Sequence, residues 1–88
     1  MNNFYTYIAY NTNSTLHSIG VTNNLKRRFR LLNSIHKCNC KLVYYEEYEG
    51  NLKAIKREDE LNALSVISIN NLVEENNPAL INLLEDSI

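Results

Sequence analysis

Ser18-Ile19-Gly20-Val21-Thr22-Asn23-Asn24-Leu25-Lys26-Arg27-Arg28 is the stretch whose reading decides the fold. It runs as the end of a strand, a glycine-containing turn, a capped helix start and a basic helical turn. Thr22 or Asn23 is the expected N-cap, because a short polar side chain there can accept from a backbone N–H of the first turn. The helix is expected from about Asn24 to Ile35. At about 100° per residue, Leu25, Phe29, Leu32, Ile35 and His36 share one face. Arg28 falls inside that arc, whereas Lys26, Arg27 and Arg30 point away from it. A charge on an apolar face is costly unless it has a partner or a task.

Upstream, residues 3–10 are aromatic and β-branched enough for a strand, with Tyr5, Tyr7 and Ala9 on one side and Phe4, Thr6, Ile8 and Tyr10 on the other. Asn11 to Thr15 is a turn cluster, and Leu16 to Val21 returns as the second strand of a hairpin. On this regular strand His17 points to the face opposite Ser18.

Downstream, Lys41 to Glu49 reads as a third strand in which Leu42, Tyr44 and Glu46 alternate with Val43, Tyr45 and Glu47. Gly50-Asn51 ends it and opens a helix from Leu52 to about Ala63. There Ala54, Ile55 and Leu61 define an apolar arc with Glu58 in its middle. Ser65 to Glu75 reads as a third helix with Val66, Ile69, Leu72 and Val73 on one side. Asn76-Asn77-Pro78 breaks it. Leu80, Leu83 and Leu84 are placed to pack back onto the body. The expected fold is α+β: a small three-stranded antiparallel sheet flanked by helices, in the order β-β-α-β-α-α, forming one domain over residues 1–88.

The 88 residues carry a formal net charge of −1. Near-neutrality argues against a nucleic-acid coat protein but leaves room for the local basic patch of Lys26, Arg27, Arg28 and Arg30. No apolar run suits a membrane span, and the N-terminus lacks the basic-then-apolar pattern of a secretory signal, so a cytoplasmic location is expected. A core this small leaves function to the surface or a shallow cleft. His36, Cys38 and Cys40 form His-x-Cys-x-Cys, but a structural zinc site needs a fourth ligand and usually Cys-x-x-Cys spacing. Cysteines two apart on a strand are poorly placed to bridge, so Cys40 is read as opening the third strand.

Arg28 and Glu58 are therefore the two charges expected near the core. Periodicity alone allows two readings. One is a structural salt bridge, an inefficient source of stability. The other is a phosphate-chemistry pair, with the carboxylate holding a divalent cation and the guanidinium stabilising charge on phosphate.

Several segments, in order, resemble the GIY-YIG nuclease family, in its small stand-alone single-domain form. Tyr5-Thr6-Tyr7 matches the first motif and Ser18-Ile19-Gly20 the second. Val21 to Arg28 is similar to the family's turn and helix, and Leu42 to Glu47 to its third strand. Ala54-Ile55-Lys56-Arg57-Glu58 is similar to the helix bearing the metal-binding glutamate, and Glu74-Glu75-Asn76-Asn77-Pro78 to the closing segment. Other members include the nuclease domain of homing endonucleases and of the excision-repair nuclease subunit. The resemblance implies hydrolysis of DNA phosphodiesters with one divalent metal, Mg2+ or Mn2+. Glu58 would be the metal ligand, Tyr7 the base or water positioner, and Arg28 the stabiliser of phosphate charge. Asn77 matches a polar residue placed near the site, and Lys26, Arg27 and Arg30 would face nucleic acid.

Two departures stand out. Ser18 replaces the second tyrosine, and its hydroxyl is shorter and less acidic. Leu32 stands where the family usually has histidine. Of the two histidines, His36, one turn beyond Leu32 on a similar helix face, is better placed than His17 to substitute for the lost groups. Both are nevertheless read as surface or packing residues. The stretch after Glu58 also lacks the family's basic residues, which implies weaker DNA affinity. The alternative expectation is accordingly a catalytically inactive member of the fold that binds nucleic acid or a protein partner. A more remote one is a self-associating module that uses Tyr44, Tyr45 and Tyr48.

Overall fold

In the computed structural model, which describes residues 3–35 and 39–84, the chain forms β1 (Asn3–Tyr10), β2 (Leu16–Thr22), α1 (Leu25–Ile35), β3 (Lys41–Glu49), α2 (Asn51–Asn62) and α3 (Val66–Asn76). The strands make one antiparallel sheet in the order β2-β1-β3. This is the expected α+β layout. β1 takes the centre because it is apolar on both faces, with Thr6 to Tyr10 buried in succession. Tyr7 and Ala9 meet Leu25, Phe29 and Leu32 of α1 on one face. Ile8 and Tyr10 meet Leu61 of α2 and Ile69 and Val73 of α3 on the other. The result is a sheet between two helical layers.

Neither edge strand alternates regularly. Ala9 pairs with Ser18 but Tyr10 pairs with Leu16, so His17 is an extra residue in β2. Ile8 pairs with Tyr44 but Ala9 pairs with Leu42, so Val43 is an extra residue in β3. Val43 and Tyr44 consequently belong to the α2–α3 side, with Leu42 and Tyr45 on the α1 side. The strict alternation expected for β3 fails at this bulge.

The start of α1 is shifted by a residue or two from expectation. Asn24 is the N-cap, its Oδ1 accepting from Arg27 N at 3.0 Å, and Thr22 Oγ1 accepts from Asn24 N at 3.1 Å. Gly50, at φ 82°, makes the left-handed step from β3 into α2. Ser65 caps α3 by accepting from Ser68 N.

Both inward-facing charges are corrected in the same way. Ile35 is 65% exposed and Ile55 is 42% exposed, so neither belongs to its helix's core stripe. The α1 stripe narrows to Leu25, Phe29 and Leu32, which leaves Arg28 on its flank and exposed. The α2 stripe narrows to Ala54 and Leu61, which leaves Glu58 on its flank and half-buried. Each helix is rolled so that its charge reaches the rim, where solvation is retained.

After α3, Leu80 packs on the α2–α3 side of the sheet, and Leu83 and Leu84 pack on the α1 side, as expected of the closing segment. Cys40 is buried beside α1, immediately ahead of β3. His36 and Cys38 lie outside the described residues. No helix among those described is long and apolar enough to cross a membrane.

Candidate functional site at the β2 edge

Tyr7 and Gly20 face each other across the β1–β2 ladder, and the Tyr7 ring lies over Gly20. A Cβ at position 20 would stand 2.5 Å from Tyr7 Oη and 2.7 Å from Cζ. Only glycine leaves the ring room to reach the edge strand. Phe29 fixes the other side of the ring, edge-on, at 5.2 Å between centroids. Arg28, one turn into α1, donates its Nε to Tyr7 Oη at 2.9 Å. Tyr7, Gly20 and Arg28 thus form one assembly. The remaining guanidinium nitrogens of Arg28 make none of the hydrogen bonds among the described residues, and the side chain is exposed.

This geometry revises the part Tyr7 can play. The residue is only 1% exposed and its hydroxyl lies beneath Arg28. It holds the guanidinium in place before it can meet a substrate. Its own O–H remains free to donate, because Oη is the acceptor from Arg28.

Ser18 stands opposite Ala9, on the same face as Tyr7 and Gly20. The bulge at His17 brings that imidazole round, so that Nδ1 lies 3.0 Å from Ser18 Oγ. The expectation that His17 faces away from Ser18 fails for this reason. Leu32 is a buried member of the α1 core.

Glu58 comes from the other helical layer. Ala54 of α2 sits over β1, its carbonyl accepting from Thr6 Oγ1 at 2.8 Å. Arg57 leans towards β3, where it bonds Glu46. Helical geometry sets Glu58 about 50° to the other side of the Ala54–Leu61 stripe, towards β2. Its half-buried carboxylate has no hydrogen bond or ion pair among the described residues. Glu58 thus approaches the β2 edge from the opposite side of the sheet to Arg28. No group of three or more His, Cys, Asp or Glu side chains among the described residues could hold a metal. A lone carboxylate still suits magnesium, which keeps several waters and takes substrate phosphate oxygens as ligands.

Asn77 has a structural task. It is 6% exposed, and its Nδ2 donates to Val43 O at 3.1 Å and Ile81 O at 2.9 Å, while Oδ1 accepts from Ile81 N at 3.1 Å. These bonds pin the closing segment to β3 and use both amide hydrogens. Lys26, Arg27 and Arg30 are exposed along α1, and Arg27 Nη2 donates to Asn23 Oδ1 at 3.0 Å.

Two features escaped the sequence reading. On the Tyr7 face, the carboxylate of Glu47 accepts from Asn3 Nδ2 and, at 3.5 Å, from Tyr5 Oη. Burial first, and then the Glu47 charge, push the Tyr5 hydroxyl above its ordinary value. On the opposite face, Glu46 accepts from both Tyr44 Oη and Tyr48 Oη. Arg57 Nε adds bonds of 3.0 and 3.2 Å to its two oxygens, and Arg57 Nη1 reaches Glu60 at 3.2 Å. Burial pushes the Glu46 carboxyl up, but these hydrogen bonds and the Arg57 charge outweigh it, so it lies below the usual carboxylate value. Tyr44 is pushed up to about 12 by burial and by its bond to Glu46. The stripe Tyr44-x-Glu46-x-Tyr48, with period two, was the available signal.

Three surface depressions lie away from the Tyr7–Arg28 pair. The largest, about 420 Å³, is bordered by Thr12, Asn33, Asn39, Cys40, Lys41 and Asn82. The others lie beside Tyr10 and Glu74 and beside Tyr48 and Lys53. The Tyr7–Arg28 assembly lines none of these three.

No family model matches the chain, and no curated protein or solved structure matches it either.

Proposed function

We propose that this chain is a GIY-YIG-like DNA phosphodiester hydrolase of low turnover, dependent on Mg2+ or Mn2+. The observation that carries the reading is the Arg28–Tyr7 hydrogen bond over Gly20. It holds one exposed, unneutralised guanidinium at the edge of the sheet. A diester phosphate there receives charge-assisted hydrogen bonds from the nitrogens of Arg28 that Tyr7 does not occupy. Exposed Lys26 and Arg30 on the same helix add sequence-independent attraction for the backbone. Glu58 is the residue that would hold the cation. A bound divalent ion supplies Lewis-acid polarisation of the phosphate and a more acidic water.

The burial of Tyr7 supports a second reading, a catalytically inactive module that binds nucleic acid through Arg28. A buried phenol is a poor general base, and Ser18 offers no phenol in exchange.

Plasmid nicking with magnesium or manganese separates the two. The hydrolase reading expects slow nicking that Glu58→Ala reduces by at least about 100-fold, as loss of an electrostatic catalytic group does. Glu47→Ala serves as the control on the Tyr7 face. Equal nicking by the wild type and Glu58→Ala proteins would end the hydrolase reading. Loss of cleavage in Glu47→Ala alone would move the metal to the other face. DNA binding without nicking leaves the binding module.

A further inference from the structure

We propose that His17 is a positioning residue of the β2 edge, holding the Ser18 hydroxyl towards a phosphodiester oxygen seated on Arg28. The inference rests on the reading of that edge as a phosphate-contacting face, and it adds a residue that no motif marks.

Three observations converge on it. The register of β2 contains one extra residue, His17, between the Ala9–Ser18 and Tyr10–Leu16 pairs. A bulge of this kind re-aims the side chain it carries. The re-aimed ring places Nδ1 3.0 Å from Ser18 Oγ. Ser18 in turn lies two residues from Gly20 on the same face, about 7 Å along the strand from where Tyr7 and Arg28 meet. A nucleotide with its phosphate on Arg28 spans that interval.

The chemistry explains why serine alone is insufficient. A free hydroxyl on an exposed edge strand rotates among its positions. With Nδ1 as a partner, Oγ either donates to the ring or accepts from it. A phosphate oxygen accepts only, so it selects the tautomer in which Nδ1–H donates to Oγ. Ser18 then turns its own O–H outwards. Serine and histidine together supply, in two residues, the outward hydroxyl that a tyrosine at position 18 would supply in one.

The test is binding of a fluorescein-labelled 12-base-pair duplex to the full chain without metal, followed by anisotropy. Ser18→Ala and His17→Phe should each weaken binding about ten-fold or more, the worth of one hydrogen bond to a charged acceptor. The double variant should bind no worse than either single one, because the two residues act as a unit. Ser18→Thr and His17→Asn, which keep a hydroxyl and a short polar partner, should restore most of the affinity. Circular dichroism checks that each variant is folded. Additive losses, no loss in Ser18→Ala, or no binding by the wild type would overturn the proposal. Nicking by the same proteins tells the two ideas apart. Coupled binding losses without any nicking keep the His17 assignment and end the hydrolase reading. Nicking unaffected by Ser18→Ala, with no binding loss, does the reverse.

Discussion

Arg28, on α1, gives its Nε to the neutral phenol of Tyr7, whereas Arg57, on α2, gives its Nε to both oxygens of the Glu46 carboxylate. Each arginine is anchored through the same nitrogen, and the two lie on opposite sides of one small sheet. The partner decides what is left over. Arg57 is neutralised by Glu46 and takes a second carboxylate, Glu60, on its outer edge. Arg28 is oriented without being neutralised. An anchor that fixes geometry but not charge suits a group that must meet an anion, whereas an ion pair fixed by two tyrosines suits a structural joint between β3 and α2.

The largest expected effect comes from breaking the joint. Arg57→Ala leaves the Glu46 carboxylate, with 21% of its side chain exposed, without its cation. The expected loss is about 2–3 kcal/mol, the scale of hydrogen bonds to a charged group. Urea denaturation measures it. DNA binding per folded molecule should stay unchanged, because the Arg57–Glu46 joint lies on the far face. A fall in affinity without a fall in stability would show that the comparison has the two faces reversed.

The same joint sets an alkaline limit. Tyr44 is raised from 10.0 to about 12, so the folded state favours its protonated form. That contribution is complete below pH 10 and disappears as pH rises through about 12. Glu46 is lowered, so its contribution is present above the ordinary carboxylate value and is lost as pH falls through its folded value. Urea midpoints measured against pH should therefore fall at both ends. Tyr44→Phe should flatten the alkaline fall, and an unchanged slope in that variant would remove Tyr44 from the account.

Gly20→Ala tests the other face with a smaller cost in stability. The new Cβ needs space held by Tyr7 Oη and Cζ, and overpacking of this kind costs about 1–3 kcal/mol. The ring must shift, and Arg28 loses its acceptor. The discriminating measurement is a cycle with Tyr7→Ala. In that background Gly20→Ala should cost much less, because the clash has gone. Additive costs would mean that the ring and the glycine do not constrain each other.

These contrasts also show what the sequence could carry. Strand and helix identities were legible because Tyr5, Tyr7 and Ala9, or Leu25, Phe29 and Leu32, repeat with the period of their element. The bulges at His17 and Val43 were not, since one added residue changes register without changing composition. Arg28 and Glu58 were placed too deep for a shared reason. Including Ile35 and Ile55 widened each apolar arc until it swallowed the neighbouring charge, although exposed aliphatic residues are ordinary. Arg57 was overlooked because its partner lies eleven residues away on another element, so no local spacing announces it. Asn77 was drawn to the site by motif alone, whereas its amide is occupied in holding the closing segment.

Arg28→Ala should cost least in stability and yet most in binding per kilocalorie. It removes one hydrogen bond to a phenol at the rim, worth about 0.5–1.5 kcal/mol. Tyr7 keeps Phe29 and its burial, so the fold has little reason to fail. Duplex affinity should fall roughly ten-fold or more, because a charge-assisted contact disappears. The slope of affinity against salt should also flatten by about one phosphate contact. Arg28→Lys sharpens the point: it keeps the charge but not the planar fork that serves Tyr7 and a phosphate at once. It should retain the salt slope and recover only part of the affinity. Full recovery would show that the charge alone matters and that the anchoring by Tyr7 is incidental.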